Sequence, residues 1–152
     1  MLRLPALLAS ALVLVATALP GCGDGVSAGA TVHVYAAASL CRDARAELAR
    51  AGGEAGDLEV RLVCLPATGS GGRSDLAIGG ANARRAAEDS TTVAFLEAAG
   101  PTAKFSRSIL EAADIAVIVG GDGQQAMARV LTAIRDGSPE EPRQAVLDAV
   151  EG

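Results

Sequence analysis

TVAFLEAAGPTAKFSRSILEAADIAVIV, residues 92–119, decides how this chain folds. Thr92 to Leu96 is a continuous apolar run of strand length, as a strand buried on both faces requires. From Lys104 to Ala113, the residues Phe105, Ile109, Leu110 and Ala113 recur at helical spacing. Ile115 to Val119 is the most apolar segment outside the amino terminus and reads as a central strand. Strand, amphipathic helix and strand in this order form one unit of a parallel sheet covered by helices.

The same alternation extends in both directions. Upstream, TVHVYA (Thr31 to Ala36) is β-branched and aromatic, hence a strand. Leu40 to Ala51 reads as a helix with a narrow apolar stripe, stopped by Gly52-Gly53. LEVRLVCL (Leu58 to Leu65) alternates, with Glu59 and Arg61 opposite Leu58, Val60, Leu62 and Cys64, as in an edge strand. Pro66 to Ser74 is a Gly/Ser loop, and Asn82 to Glu88 a polar helix. Downstream, Met127, Val130, Leu131 and Ile134 define the buried face of a helix from Gln124 to Arg135. Ser138-Pro139-Glu140-Glu141 starts a last helix, Glu140 to Val150. The expected fold is α/β, a three-layer parallel sheet in the order 2-1-3-4 flanked by helices, with right-handed crossovers.

The amino terminus has a different character. Arg3 precedes an apolar run from Leu4 to Leu19, which is followed by Pro20-Gly21-Cys22. The run is shorter than the roughly 20 residues of a comfortable membrane span. Charge, short apolar run, small residue and cysteine read as a cleaved export signal over residues 1–21 with lipid on Cys22. An uncleaved anchor with Cys22 as a spare thiol is the other reading. Residues 22–30 form a small-residue tether, 31–136 the α/β lobe and 137–152 the C-terminal helix. Several acyl chains on Cys22 would hold the protein stably at a membrane surface, outside the cytoplasm.

Among the 152 residues, 13 are basic and 18 acidic, giving a net charge of −5 that loss of Arg3 would deepen. An acidic surface argues against nucleic acid and against electrostatic membrane binding. Tryptophan is absent, and Tyr35, Phe95 and Phe105 are the only aromatics, which leaves few platforms for a ligand. Cys41 and Cys64 remain after the lipidation cysteine. In an oxidising compartment this even pair is a disulfide candidate contributing roughly 3 kcal/mol, the other reading being two buried thiols. With His33 as the sole histidine, in a strand, neither a zinc site nor a Ser-His-Asp set is assembled, and no enzyme activity is expected.

Open parallel sheets take ligands beyond the carboxyl ends of their strands. The loops there offer Ser39, Ser70, Ser74, Thr102, Asp122 and backbone amides. Gly69 to Ser74 lacks the G-K-[ST] ending of a phosphate loop. Gly121-Asp122-Gly123-Gln124-Gln125-Ala126 fits G-x-G-x-x-A between a strand and a helix. Asp122 would repel a pyrophosphate, however, and no later strand supplies the ribose-binding acid, so no cofactor is expected.

Ala81 to Val119 also resembles the first lobe of type I periplasmic binding proteins, the leucine/isoleucine/valine-type solute receptors of ABC importers. The matching pieces are Asn82-Ala83-Arg84-Arg85, Val93 to Glu97, Ser108 to Ala113 and Ile115 to Val119, with Leu48 to Leu65 similar upstream. The resemblance implies that the turn contacting an amino acid's carboxylate and amine lies at Ala98-Ala99-Gly100-Pro101, with Gly100 and the Thr102 hydroxyl retained. It implies a second contact turn at Gly120-Gly121-Asp122, where the family's hydroxyl is replaced by a carboxylate. These receptors close two lobes around a ligand, and four strand–helix units supply half of such a cleft.

The expected function is thus a lipid-anchored, solute-binding-protein-like domain with weakened or lost ligand binding. Its site is placed around Ser39, Gly100, Thr102 and Asp122, and its partners are an amino acid or other small polar solute and an importer permease. The alternative is a structural or protein-interaction envelope lipoprotein that kept the fold without the ligand.

Overall fold

The structure, a computed structural model, describes residues 29–67 and 73–152. Cys22, the expected export signal over residues 1–21 and residues 68–72 of the Gly/Ser loop lie outside the described residues. In chain order the elements are β1 (Thr31–Ala36), α1 (Ala38–Arg50), β2 (Glu54–Ala55), β3 (Leu58–Cys64), α2 (Arg73–Glu88), β4 (Thr92–Glu97), α3 (Pro101–Glu111), β5 (Ala116–Val119), α4 (Gly123–Asp136) and α5 (Pro142–Glu151).

The protein is α/β, with a five-stranded mixed sheet in the order β2-β3-β1-β4-β5 flanked by helices. β1 pairs in parallel with β3 and β4, and β4 with β5, whereas β2 runs antiparallel to β3. The sheet is therefore not wholly parallel. The added strand arises because Gly56, at φ 58°, takes the left-handed conformation in the two-residue connection between Ala55 and Leu58. Glu54 and Ala55 then occupy the outer edge that the alternation of LEVRLVCL assigns to β3 itself.

β5 also differs from expectation. The sequence makes it a central strand, yet it bonds only to β4 and closes the other edge. Its apolar run is explained by cover on both faces instead. Ala116 and Ile118 join a core with Leu40, Ala44, Met127, Val130 and Val146 of α1, α4 and α5. Val117 joins a second core with Tyr35, Phe95, Ala83 and Leu110 on the face covered by α2 and α3. Two strand neighbours are one way to bury a strand, and two helical layers are another.

Three helices start away from their expected positions. α2 begins at Arg73 rather than Asn82, running through Gly79 and Gly80. Both glycines face α3: a Cβ on Gly80 would come within 2.6 Å of Phe105 Cε1, and one on Gly79 within 3.4 Å of Thr102. Close approach of α3 therefore accounts for the glycine at position 80 inside α2. α3 and α5 have Pro101 and Pro142 in their first turn, where proline's missing N–H costs nothing. Arg143 anchors α5 by donating to the carbonyl oxygens of Thr92 (2.9 Å) and Ser90 (2.9 Å).

At the amino end of the sheet, His33 and Tyr35 converge on Asp89, in the α2–β4 connection. Tyr35 donates to Asp89 Oδ2 at 2.9 Å, and the Thr91 amide donates to Oδ1 at 2.9 Å. The Thr91 hydroxyl lies 2.5 Å from Oδ1, and His33 Nδ1 lies 2.7 Å from Oδ2. Since a carboxylate only accepts, the proton of this His33 bond sits on Nδ1.

Candidate functional site

A cleft of about 640 Å³ opens beyond the carboxyl ends of β1, β3 and β4. Ser39, Gly100 and Thr102 line it together. Asp122 does not line it. Its carboxylate accepts the Gln125 amide at 2.7 Å and caps α4, a role any Asp before a helix can take.

Two helix starts face the cleft. α1 follows Ala37 and α3 follows Gly100, and neither has a capping side chain. The amides of Ala38, Ser39 and Thr102 are therefore without a side-chain cap, at the positive ends of two helix dipoles. Such ends suit an anionic group. The hydroxyls of Ser39 and Thr102 belong to the same lining.

The cleft also holds three polar residues outside the expected site: Asp75, Asn82 and Glu97, each less than a tenth exposed. Asn82 Nδ2 reaches the Pro66 carbonyl at 3.5 Å and ties α2 to the chain leaving β3. Burial pushes the Glu97 carboxyl up from its ordinary range, partly offset by the nearby Ser106 hydroxyl and the Ala98 amide. Ser106 Oγ is fully buried near Glu97 but short of good hydrogen-bond geometry. Among the described residues, no Lys or Arg lines the cleft. It thus combines carboxylates with amide-rich helix ends, an amphoteric lining.

Glu97 carried a sequence signal: an acid ends the apolar run TVAFLE, where a buried strand has no use for a charge. Asp75 carried none, because it falls between the loop ending at Ser74 and the helix expected from Asn82. A raised Glu97 pKa means that ionising this group opposes folding. Its stabilising contribution is present in acid and lost as pH rises through the folded pKa. Glu97→Gln should accordingly raise the melting temperature at pH 7 by a few degrees and lose that advantage near pH 4. Thermal melts of both proteins at the two pH values provide the check, and equal melting temperatures at pH 7 would count against a costly buried charge.

Cys41, in the first turn of α1, and Cys64, at the end of β3, are joined through their Sγ atoms with Cα atoms 5.6 Å apart. The bond ties together the two segments that form one wall of the cleft, Ala37 to Ser39 and Leu65 to Ala67. No group of His, Cys, Asp and Glu suited to a metal ion occurs among the described residues. No helix among them is long and apolar enough to cross a membrane. The chain matches no protein-family model, no curated protein and no solved structure.

Proposed function

We propose that the chain is a solute-binding-protein-like lobe, held at a membrane surface through lipid on Cys22, whose cleft takes a small zwitterionic solute of the amino-acid kind. The carrying observation is the amphoteric cleft, with uncapped helix ends at Ser39 and Thr102 and the buried acids Asp75 and Glu97. A solute carboxylate fits the amides and hydroxyls, and its ammonium group fits the acids. The ordered resemblance over residues 48–119 to type I solute receptors supports the same reading, and points to an importer permease as the partner. This cleft encloses a solute from one side, so the affinity of the lobe by itself is weak, with Kd on the order of 1 mM.

Calorimetry and amide-shift titrations with branched-chain and polar amino acids test this. Shifts at Ser39, Gly100 and Thr102 with millimolar affinity are the expected result. Micromolar binding would contradict the weak, one-sided cleft, and silence at about ten times that Kd would remove the solute. The envelope-scaffold reading draws on a different observation: Leu76, in the cleft lining, and Phe105 are large apolar residues exposed on α2 and α3. Recovery of permease subunits in cross-linking pull-downs favours the receptor, and recovery of an unrelated envelope protein the scaffold.

A further inference from the structure

We infer that the Cys41–Cys64 bond is a redox-active latch, opened by thiol–disulfide exchange with a dithiol, that fastens one wall of the cleft. Arg45 lies one helical turn beyond Cys41. Its Nη2 lies 3.1 Å from Cys64 Sγ and 3.7 Å from Cys41 Sγ. Arg45 makes no ion pair with a carboxylate among the described residues. A guanidinium gains little from disulfide sulfur, which is a weak acceptor. It gains far more from a thiolate, as does the amino-terminal turn of a helix, where Cys41 sits. Both features therefore favour the reduced pair over the oxidised one. A disulfide whose reduced form is stabilised in this way is more readily opened than one serving only as a staple.

The two sulfurs have distinct roles. Cys64 is half-buried and Cys41 buried, so an incoming thiolate meets Cys64 first. It attacks Cys64 Sγ, the S–S bond breaks, and the electron pair leaves on Cys41 Sγ, beside Arg45 and the helix start. The second thiolate of the same reductant then attacks the mixed disulfide and expels Cys64. The reductant is oxidised to its own disulfide, and the protein gains two electrons as a thiol pair. The two protons released by the dithiol pass to the protein thiols or to water. Opening the bond frees Ala37 to Ser39 from Leu65 to Ala67, the two cleft segments that it ties.

The test equilibrates the full chain with reduced and oxidised dithiothreitol in graded ratios, quenches in acid, alkylates and reads the reduced fraction by mass. Arg45→Met is expected to lower the equilibrium constant for reduction about tenfold, equivalent to about 30 mV, with Arg45→Lys intermediate. Wild-type and Arg45→Met proteins with the same equilibrium constant would overturn the inference, as would a variant that is easier to reduce. Arg45→Lys keeps the experiment decisive where the methionine variant fails to fold. Hydrogen exchange on the wild type supplies the second reading. Reduction should raise exchange at residues 37–41 and 64–67, and unchanged exchange there would remove the latch.

Any change in solute affinity on reduction rests on the proposed function of the cleft. The equilibrium constant does not. Calorimetry on both redox forms separates the two: absence of solute binding in either form sinks the receptor reading and leaves the latch standing.

Discussion

Gly123→Ala is expected to lower the unfolding free energy by about 3 kcal/mol, read as a drop in urea midpoint at unchanged slope. Gly123 opens α4, where that helix lies against α1. A Cβ there would fall on the Leu40 carbonyl oxygen, 2.9 Å from the Ala44 nitrogen and 3.0 Å from the Leu40 carbonyl carbon. These are backbone atoms, so no rotamer change makes room and one helix must shift. α1 is poorly placed to shift, because Cys41 is bonded to Cys64 in the sheet. Alanine's better helix propensity returns at most about 1 kcal/mol, less in a first turn, so the clash prevails. Gly121→Ala is the informative comparison. Gly121 has φ 76° and nothing within 4 Å of its Cβ, so only backbone strain of about 1–2 kcal/mol is expected. A Gly123→Ala protein as stable as wild type would show that α1 and α4 do not approach as described.

The same glycine illustrates what the sequence made legible. Apolar patterning located β1, β3, β4, β5 and α4, through alternation in β3, helical spacing in α4 and β-branched or continuous apolar runs in the other strands. It also placed Ser39, Gly100 and Thr102 at one sheet edge, since loops after parallel strands gather there. Periodicity is silent where packing depends on missing side chains. Gly123 fits a dinucleotide turn by sequence and no element is expected over residues 75–81, yet Gly123 and Gly80 sit where a neighbouring helix occupies the space a side chain would take. β2 is too short to show a period, and β5 owes its apolar run to helices that no single segment reveals. Asp122 reads as a ligand group because local sequence does not distinguish a cap from a site. Asp75 has no local signal, because it belongs to the cleft only once α2 has packed.

Asp89→Ala is expected to cost about 3 kcal/mol, with an effect that depends on pH in a direction fixed by the carboxylate's surroundings. Burial alone would raise the Asp89 pKa. The Thr91 hydroxyl, His33, the Thr91 amide and the Tyr35 hydroxyl together outweigh burial and hold the carboxyl well below the usual carboxylate range. Removing the carboxylate deprives all of these donors at once. Hydrogen bonds to charged groups are worth about 1.5–3 kcal/mol each. The site is partly exposed, with Asp89 21 % and His33 27 % accessible, so water recovers much of the sum. A folded pKa below the unfolded one contributes stability that is complete above the unfolded value, about 3.9, and lost as pH falls towards the folded value. The gap between wild type and Asp89→Asn should therefore be full at pH 7 and pH 5 and shrink from pH 4 to pH 3. A gap that stays constant over this range would mean that charge is not what the donors recognise. The location magnifies the consequence. The β1–β4 register shifts between His33 and Val34, beside the His33 amide that donates to the Thr91 carbonyl at 2.9 Å. Asp89 pins β4 to β1 at that irregularity. β4 carries the setting upward to Glu97 at the cleft, a span of about 3.3 Å per residue. An anchor at the amino end thus fixes the height of the carboxylate at the carboxyl end. Asp89→Asn should consequently perturb amide shifts at Glu97 and Ala98 as well as at Thr91, and a disturbance confined to the amino end would break that link.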